Sequence, residues 1–134
     1  MKVGRVVSSV ASLAGIILAG TAALAHHSFA MFDRERTVTL VGTVRNWQWT
    51  NPHTWLWLTI PGSNGASTIW GLEGTAPGEL TRKGWARESL KVGDKVTVVI
   101  NPLRDGRNGG SFHTVTFADG RKLTDNFQIS GAPK

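Results

Sequence analysis

An all-β domain with one short helix, closed into a small five-stranded barrel, is the fold class this sequence predicts. Segments rich in Val, Thr, Ile and Trp recur with the period-2 apolar pattern of half-buried strands. A single helix signal falls between the third and fourth of them. The first segment is long and changes its apolar face midway, as a strand does when a bend lets it serve both sides of a barrel.

The first strand is expected over residues 37–50. Val38, Leu40 and Val44 share one parity, and Trp47 and Trp49 share the other. An extra residue or bend near Gly42 or Asn46 would reconcile the two. Asn51-Pro52 marks a turn. Residues 53–60 form the second strand, with Leu56, Leu58 and Ile60 on one face and His53, Trp55, Trp57 and Thr59 on the other. The cluster Pro61-Gly62-Ser63-Asn64-Gly65 turns the chain into a third strand over 67–73. Thr75 has the chemistry of an N-cap, Pro77 suits a first helical turn and Gly84 a stop, so a short helix is expected over 77–83 with Leu80 inward and Trp85 packed beyond it. The fourth strand follows over 95–100, a turn-rich loop over 101–110, and the fifth strand over 111–118. Asp119-Gly120 is a tight-turn signal, and residues 121–123 can add a short strand. Three strands, a helix and two strands is the element order of the OB-fold, a partly open Greek-key barrel; a plain antiparallel sandwich is the alternative.

Residues 1–25 read as an export signal: Lys2 and Arg5 open a basic start, an apolar run follows, and Ala23-Leu24-Ala25 has the small-x-small form of a cleavage site. The alternative, a membrane anchor, is disfavoured because Ser8, Ser9, Ser12, Gly15, Gly20 and Thr21 dilute the run below what about 20 apolar residues would supply. The expected organisation is a signal peptide over 1–25, an OB-like domain over 26–125 and a flexible C-terminal tail over 126–134. The mature protein is expected in the periplasm or secreted, with no membrane association after cleavage. Loss of Lys2 and Arg5 leaves the chain only mildly basic, from a formal net charge of +6 for the whole sequence. That charge is spread without runs, so a nucleic-acid partner is not expected. The absence of cysteine excludes a disulfide framework, a thiolate metal site and a cysteine nucleophile.

His26-His27-Ser28-Phe29, Phe32-Asp33, Trp49-Thr50-Asn51-Pro52-His53, Gly84-Trp85 and Gly93-Asp94-Lys95-Val96-Thr97 together resemble a family of small exported bacterial proteins known only as a domain of unknown function. The resemblance spans nearly all of the mature chain and implies no activity or cofactor. Residue chemistry therefore carries the functional reading.

The four histidines, His26, His27, His53 and His113, are the candidate metal ligands. Cleavage after Ala25 would put a free amine and an imidazole on His26, and the two can close a chelate ring on one metal. One or two further imidazoles would complete a nitrogen-rich site, which suits a copper ion. Each histidine also has a bland role open to it. His26 and His27 can be solvated terminal residues, His53 can bond its turn, and His113 shares parity with Val115 and Phe117 as a core-edge residue. Asp33, Glu35 and Glu73 are secondary candidates that surface solvation or ion pairing would equally explain.

Trp47, Trp49, Trp55 and Trp57 flank one turn and form the candidate face for a ligand or partner, although core and cover packing would also employ them. No catalytic residue set is defined, so an enzyme is not the expectation; a copper-dependent oxidase would need a substrate the sequence does not indicate. The sequence thus points to a periplasmic binding protein that captures a transition metal, copper before others, and serves a periplasmic redox or metal-handling protein. The alternative is a metal-free ligand- or protein-binding adaptor that uses the tryptophan-rich face.

Overall fold

A computed structural model describes residues 30–125. The expected signal peptide, His26, His27 and the expected tail lie outside the described residues. The strands are β1 (Val38–Gln48), β2 (Trp55–Pro61), β3 (Ser67–Glu73), β4 (Lys95–Pro102), β5 (Gly109–Phe117) and β6 (Lys122–Thr124). The helix α1 (Pro77–Arg82) and a 3-10 turn (Arg87–Ser89) join β3 to β4.

Five strands close into a barrel. β1 pairs antiparallel with β2 and with β4, β2 with β3, and β4 with β5. Parallel pairing of Gly71–Glu73 with Gly109–Ser111 completes the circuit, and β6 extends β5 outside it. This is the OB-type order expected from the sequence. Among the described residues, no helix is long and apolar enough to cross a membrane.

Two bulges let the strands turn the barrel's corners. In β1, Val44 pairs with Leu58 and Asn46 with Trp57, so Arg45 is the extra residue. The inward phase therefore passes from Leu40 and Val44 to Trp47 and Trp49, which pack against the core. In β5, Ile100 faces Phe112 while Val99 faces Thr114, and His113 is the extra residue. Phe112, Val115 and Phe117 can thus all point inward although their parities differ.

Leu56, Leu58, Leu72, Leu80, Val98, Ile100, Phe112 and Val115 have no exposed surface, and Trp85 is also buried. Full burial of each such side chain stabilises the fold by about 1.5–3 kcal/mol. Trp85 lies 5.5 Å from Phe112 and 5.8 Å from Trp47, ring centre to ring centre, so an aromatic cluster fills the end of the barrel under α1. Gly84, at φ +88°, reverses the chain after the helix as expected. Thr75 is not the N-cap. Ala76 occupies that position without a side-chain bond, and the Thr75 hydroxyl donates to Asp125 instead, 2.7 Å away.

Candidate functional site

His53 ends the loop between β1 and β2, and that loop is pinned to the end of β3. Thr54 is fully buried. Its amide and hydroxyl donate to the Thr75 carbonyl at 3.2 and 2.9 Å, and its own carbonyl accepts from the Gly74 amide at 2.9 Å. The Thr50 hydroxyl donates to the His53 carbonyl at 3.2 Å, which holds the turn before it. A Cβ at Gly74 would sit 2.3 Å from the Phe112 ring and 2.6 Å from the Thr54 hydroxyl, so only glycine permits the close approach of loop and strand.

The anchored loop sets the His53 ring against the protein through Nδ1. That nitrogen lies 3.2 Å from the Gly74 carbonyl oxygen and 3.3 Å from Oε1 of Glu73. A backbone carbonyl only accepts, so Nδ1 is the donor in its contact with Gly74. The His53 side chain keeps a quarter of its surface exposed, and that of Glu73 keeps 4 %. Glu73 is therefore not the solvated surface group that its place at a strand end suggests. Its pairing with Trp55 on one side and Ser111 on the other puts it in the barrel wall. No sequence signal separates Glu73 from the other carboxylates.

His113 stands elsewhere. The bulge takes it off the face of Val115 and Phe117, and its Nε2 donates to Oδ1 of Asn101. Asn101 in turn donates from Nδ2 to the Arg36 carbonyl at 2.6 Å, which fixes the orientation of its amide. Burial pushes the His113 pKa down, opposed by the negative charge of Asp125 and aided by Arg34. A neutral ring that donates to a side-chain amide is a structural tie between β5, β4 and the lead-in segment. Among the described residues, no three His, Cys, Asp or Glu side chains gather into a group that could hold a metal ion. Asp33 accepts from the Glu35 amide and lies 4.0 Å from Arg104, and Glu35 is exposed.

The four tryptophans separate into two groups. Trp47 and Trp49, 5.7 Å apart, pack against the core, and Trp47 lies 6.2 Å from Phe112. Trp55 and Trp57 lie on the opposite face of β2 from the buried Leu56 and Leu58, half-buried and nearly parallel, with ring centres 6.0 Å apart and planes at 23°. Trp57 lies flat on its cross-strand neighbour Gly71, where a Cβ would come within 2.8 Å of the indole. Of these four, Trp55 and Trp57 form the aromatic pair on the outer face of β2, beside the strand position of Glu73.

A separate cavity of about 360 Å³ opens at the other end of β4, lined by Glu88, Lys91, Asp94, Lys95, Phe117 and Arg121 among others. Among the described residues, no histidine or tryptophan lines it. Its cations and anions alternate, and Arg121 lies over the Phe117 ring at 4.1 Å.

The barrel and the imidazole fixed at its β1–β2 loop define a small OB-type domain. The chain belongs to a family of unknown function (DUF6152), whose sequence profile matches residues 13–112. No curated protein and no solved structure matches it.

Proposed function

We propose that the chain is an exported binding domain that captures a transition metal, copper before others, with His53 as the ligand contributed by the barrel. The observation that carries this reading is the Nδ1 contact of His53 with the Gly74 carbonyl. With Nδ1 donating there, Nε2 is the nitrogen the ring would offer a metal, on a ring held by a pinned loop. A neutral imidazole nitrogen of that kind suits copper, zinc or nickel. One imidazole is not a metal site. The remaining donors are the amine and ring of His26 and the ring of His27, which enter on their chemistry alone. His113 donates to Asn101 through Nε2, so Nδ1 is the nitrogen it would offer. The domain then acts as a carrier, a chaperone or an accessory to a periplasmic redox or metal-handling protein.

Mass spectrometry of the exported chain fixes its first residue, and Cu(II) titration against a competing chelator measures its affinity. His26→Ala, and separately one residue added ahead of His26, should each weaken binding by at least about tenfold, or 1.4 kcal/mol. Unchanged affinity in both rejects a site built on His26. The parallel indoles of Trp55 and Trp57 favour a second reading, a metal-free module that docks a planar ligand or a partner on this face. In that case Trp55→Ala abolishes capture with the fold intact, and metal makes no difference.

A further inference from the structure

We propose that the Asn64 amide, at the tip of the β2–β3 hairpin, is a modification site where the folded chain deamidates spontaneously through attack by the Gly65 nitrogen. Among the described residues, three exposed turns share one form: an Asn or Asp, a glycine in the left-handed region, and a residue whose amide donates back to the side-chain Oδ1. They are Asn64-Gly65-Ala66 at 3.1 Å, Asp105-Gly106-Arg107 at 3.0 Å and Asp119-Gly120-Arg121 at 2.9 Å. Their glycines have φ of +81°, +78° and +86°. The bond folds the side-chain carbonyl back over the following peptide, and the donating amide stabilises negative charge that develops on Oδ1. Asp105 and Asp119 bring carboxylates to this arrangement, and a carboxylate resists a nucleophile. The Arg107 amide and guanidinium hold the Asp105 carboxyl below its usual range, so it stays ionised. Of the three, Asn64 brings a neutral amide, which carries a leaving group. Gly65 has no Cβ to crowd the attack, and nothing lies within 4 Å of where one would stand. Its amide is held by a 3.3 Å bond to the Gly62 carbonyl, long for an N–H donor. In the reaction the Gly65 nitrogen yields its proton to water and bonds to Cγ of Asn64. The Cγ–Nδ2 bond breaks, and Nδ2 takes up a proton and leaves as ammonia. Water then opens the succinimide at either carbonyl, giving aspartate or isoaspartate with no redox change. Either product puts a negative charge on the hairpin tip. Isoaspartate also lengthens the main chain inside a loop closed by the 2.6 Å bond from the Gly62 amide to the Ala66 carbonyl.

The sequence holds one other Asn-Gly pair, Asn108-Gly109, and the barrel restrains it. Gly109 is buried where β5 meets β3. Its carbonyl accepts from the Leu103 amide at 3.0 Å, and the Asn108 carbonyl accepts from the Gly71 amide at 3.4 Å. Moving the Gly109 nitrogen toward a side chain would open this seam. The test incubates the full chain in neutral buffer, folded and in parallel in urea, and follows both pairs by peptide mass mapping and enzymatic labelling of isoaspartate. In urea the two pairs should convert at similar rates, because both are Asn-Gly followed by a small residue. In the folded chain Asn64 should convert at least about tenfold faster than Asn108. A peptide lighter by the mass of ammonia should precede the acid. Asn64→Gln should remove this product, since the longer side chain closes the ring less readily. Equal rates for Asn64 and Asn108 in the folded chain, or earlier conversion of Asn108, overturn the proposal. So does folding that slows Asn64 by about tenfold or more relative to urea, because the turn would then shield the amide rather than expose it.

Discussion

Replacing Asp125 by alanine should remove a large share of the domain's stability. Asp125 follows β6, is fully buried, and accepts from the Thr75 amide at 2.9 Å, the Thr75 hydroxyl at 2.7 Å and Lys83 Nζ at 2.8 Å. Lys83 also donates to the Asp125 backbone carbonyl, and the Asp125 amide donates to the His113 carbonyl at 2.6 Å. One carboxylate thus ties the end of β3, the end of α1 and the strand after β5. Breaking a buried ion pair by removing one partner costs about 3–5 kcal/mol. The Lys83 side chain keeps about a third of its surface exposed and can rehydrate, so the lower half of that range applies, about 3–4 kcal/mol. A domain of this size has some 5–15 kcal/mol in all, and each kcal/mol moves its melting temperature by about 4–8 °C. Asp125→Ala should therefore melt at least about 12 °C below the native chain. Tryptophan fluorescence is a suitable probe, since the Trp85 indole donates to the neighbouring Thr124 carbonyl at 3.1 Å. Lys83→Met should cost less, because the two Thr75 donors to the carboxylate remain. A shift under about 4 °C for Asp125→Ala, or a larger loss for Lys83→Met, would refute the assignment of the tie to the carboxylate.

Two further outcomes follow from the same geometry. Burial lowers the folded-state pKa of His113, so at acid pH the unfolded chain binds the proton more readily than the folded one. Its contribution to stability is full above the unfolded pKa of about 6.5 and is lost as pH falls through the folded value. Denaturant midpoints taken from pH 7.5 to 5 should decline less for His113→Gln than for the native chain, and parallel declines would count against it. Gly74→Ala forces a methyl group to 2.3 Å from Phe112, a form of overpacking that costs about 1–3 kcal/mol. Because the His53 ring rests on the Gly74 carbonyl, the same variant should perturb any ligand bound at His53 more than the equivalent Gly78→Ala, where a Cβ meets nothing.

Much of the barrel was readable because its strands are half-buried and alternate. Leu56 and Leu58 announced the inner face of β2, and the conflict of parity between Val44 and Trp47 announced a bulge at Gly42 or Asn46, which falls at Arg45, beside the second of these. The same logic gave no sign of a second bulge at His113, because the surrounding sequence keeps an unbroken alternation from His113 to Phe117. Thr75 looked like an N-cap because its local chemistry is right; a carboxylate fifty residues away claimed its hydroxyl. Glu73 was unreadable for a related reason. Nothing in its neighbours reveals that β5 will lie alongside it or that its side chain will be buried. Local pattern carries local structure, and the groups around His53 are assembled by contacts between residues far apart in the chain.

The parallel seam between β3 and β5 has a consequence for how the molecule comes into being. It joins residue 71 to residue 109, so a chain emerging amino end first must wait for about its last fifth before the circle can be drawn. Meanwhile β1, β2 and β3 make a meander whose Leu56, Leu58 and Leu72 have no roof. Such an intermediate is sticky, and the slow arrival of distant partners prolongs its exposure. The ring is locked only when Gly109 to Ser111 arrive beside Gly71 to Glu73.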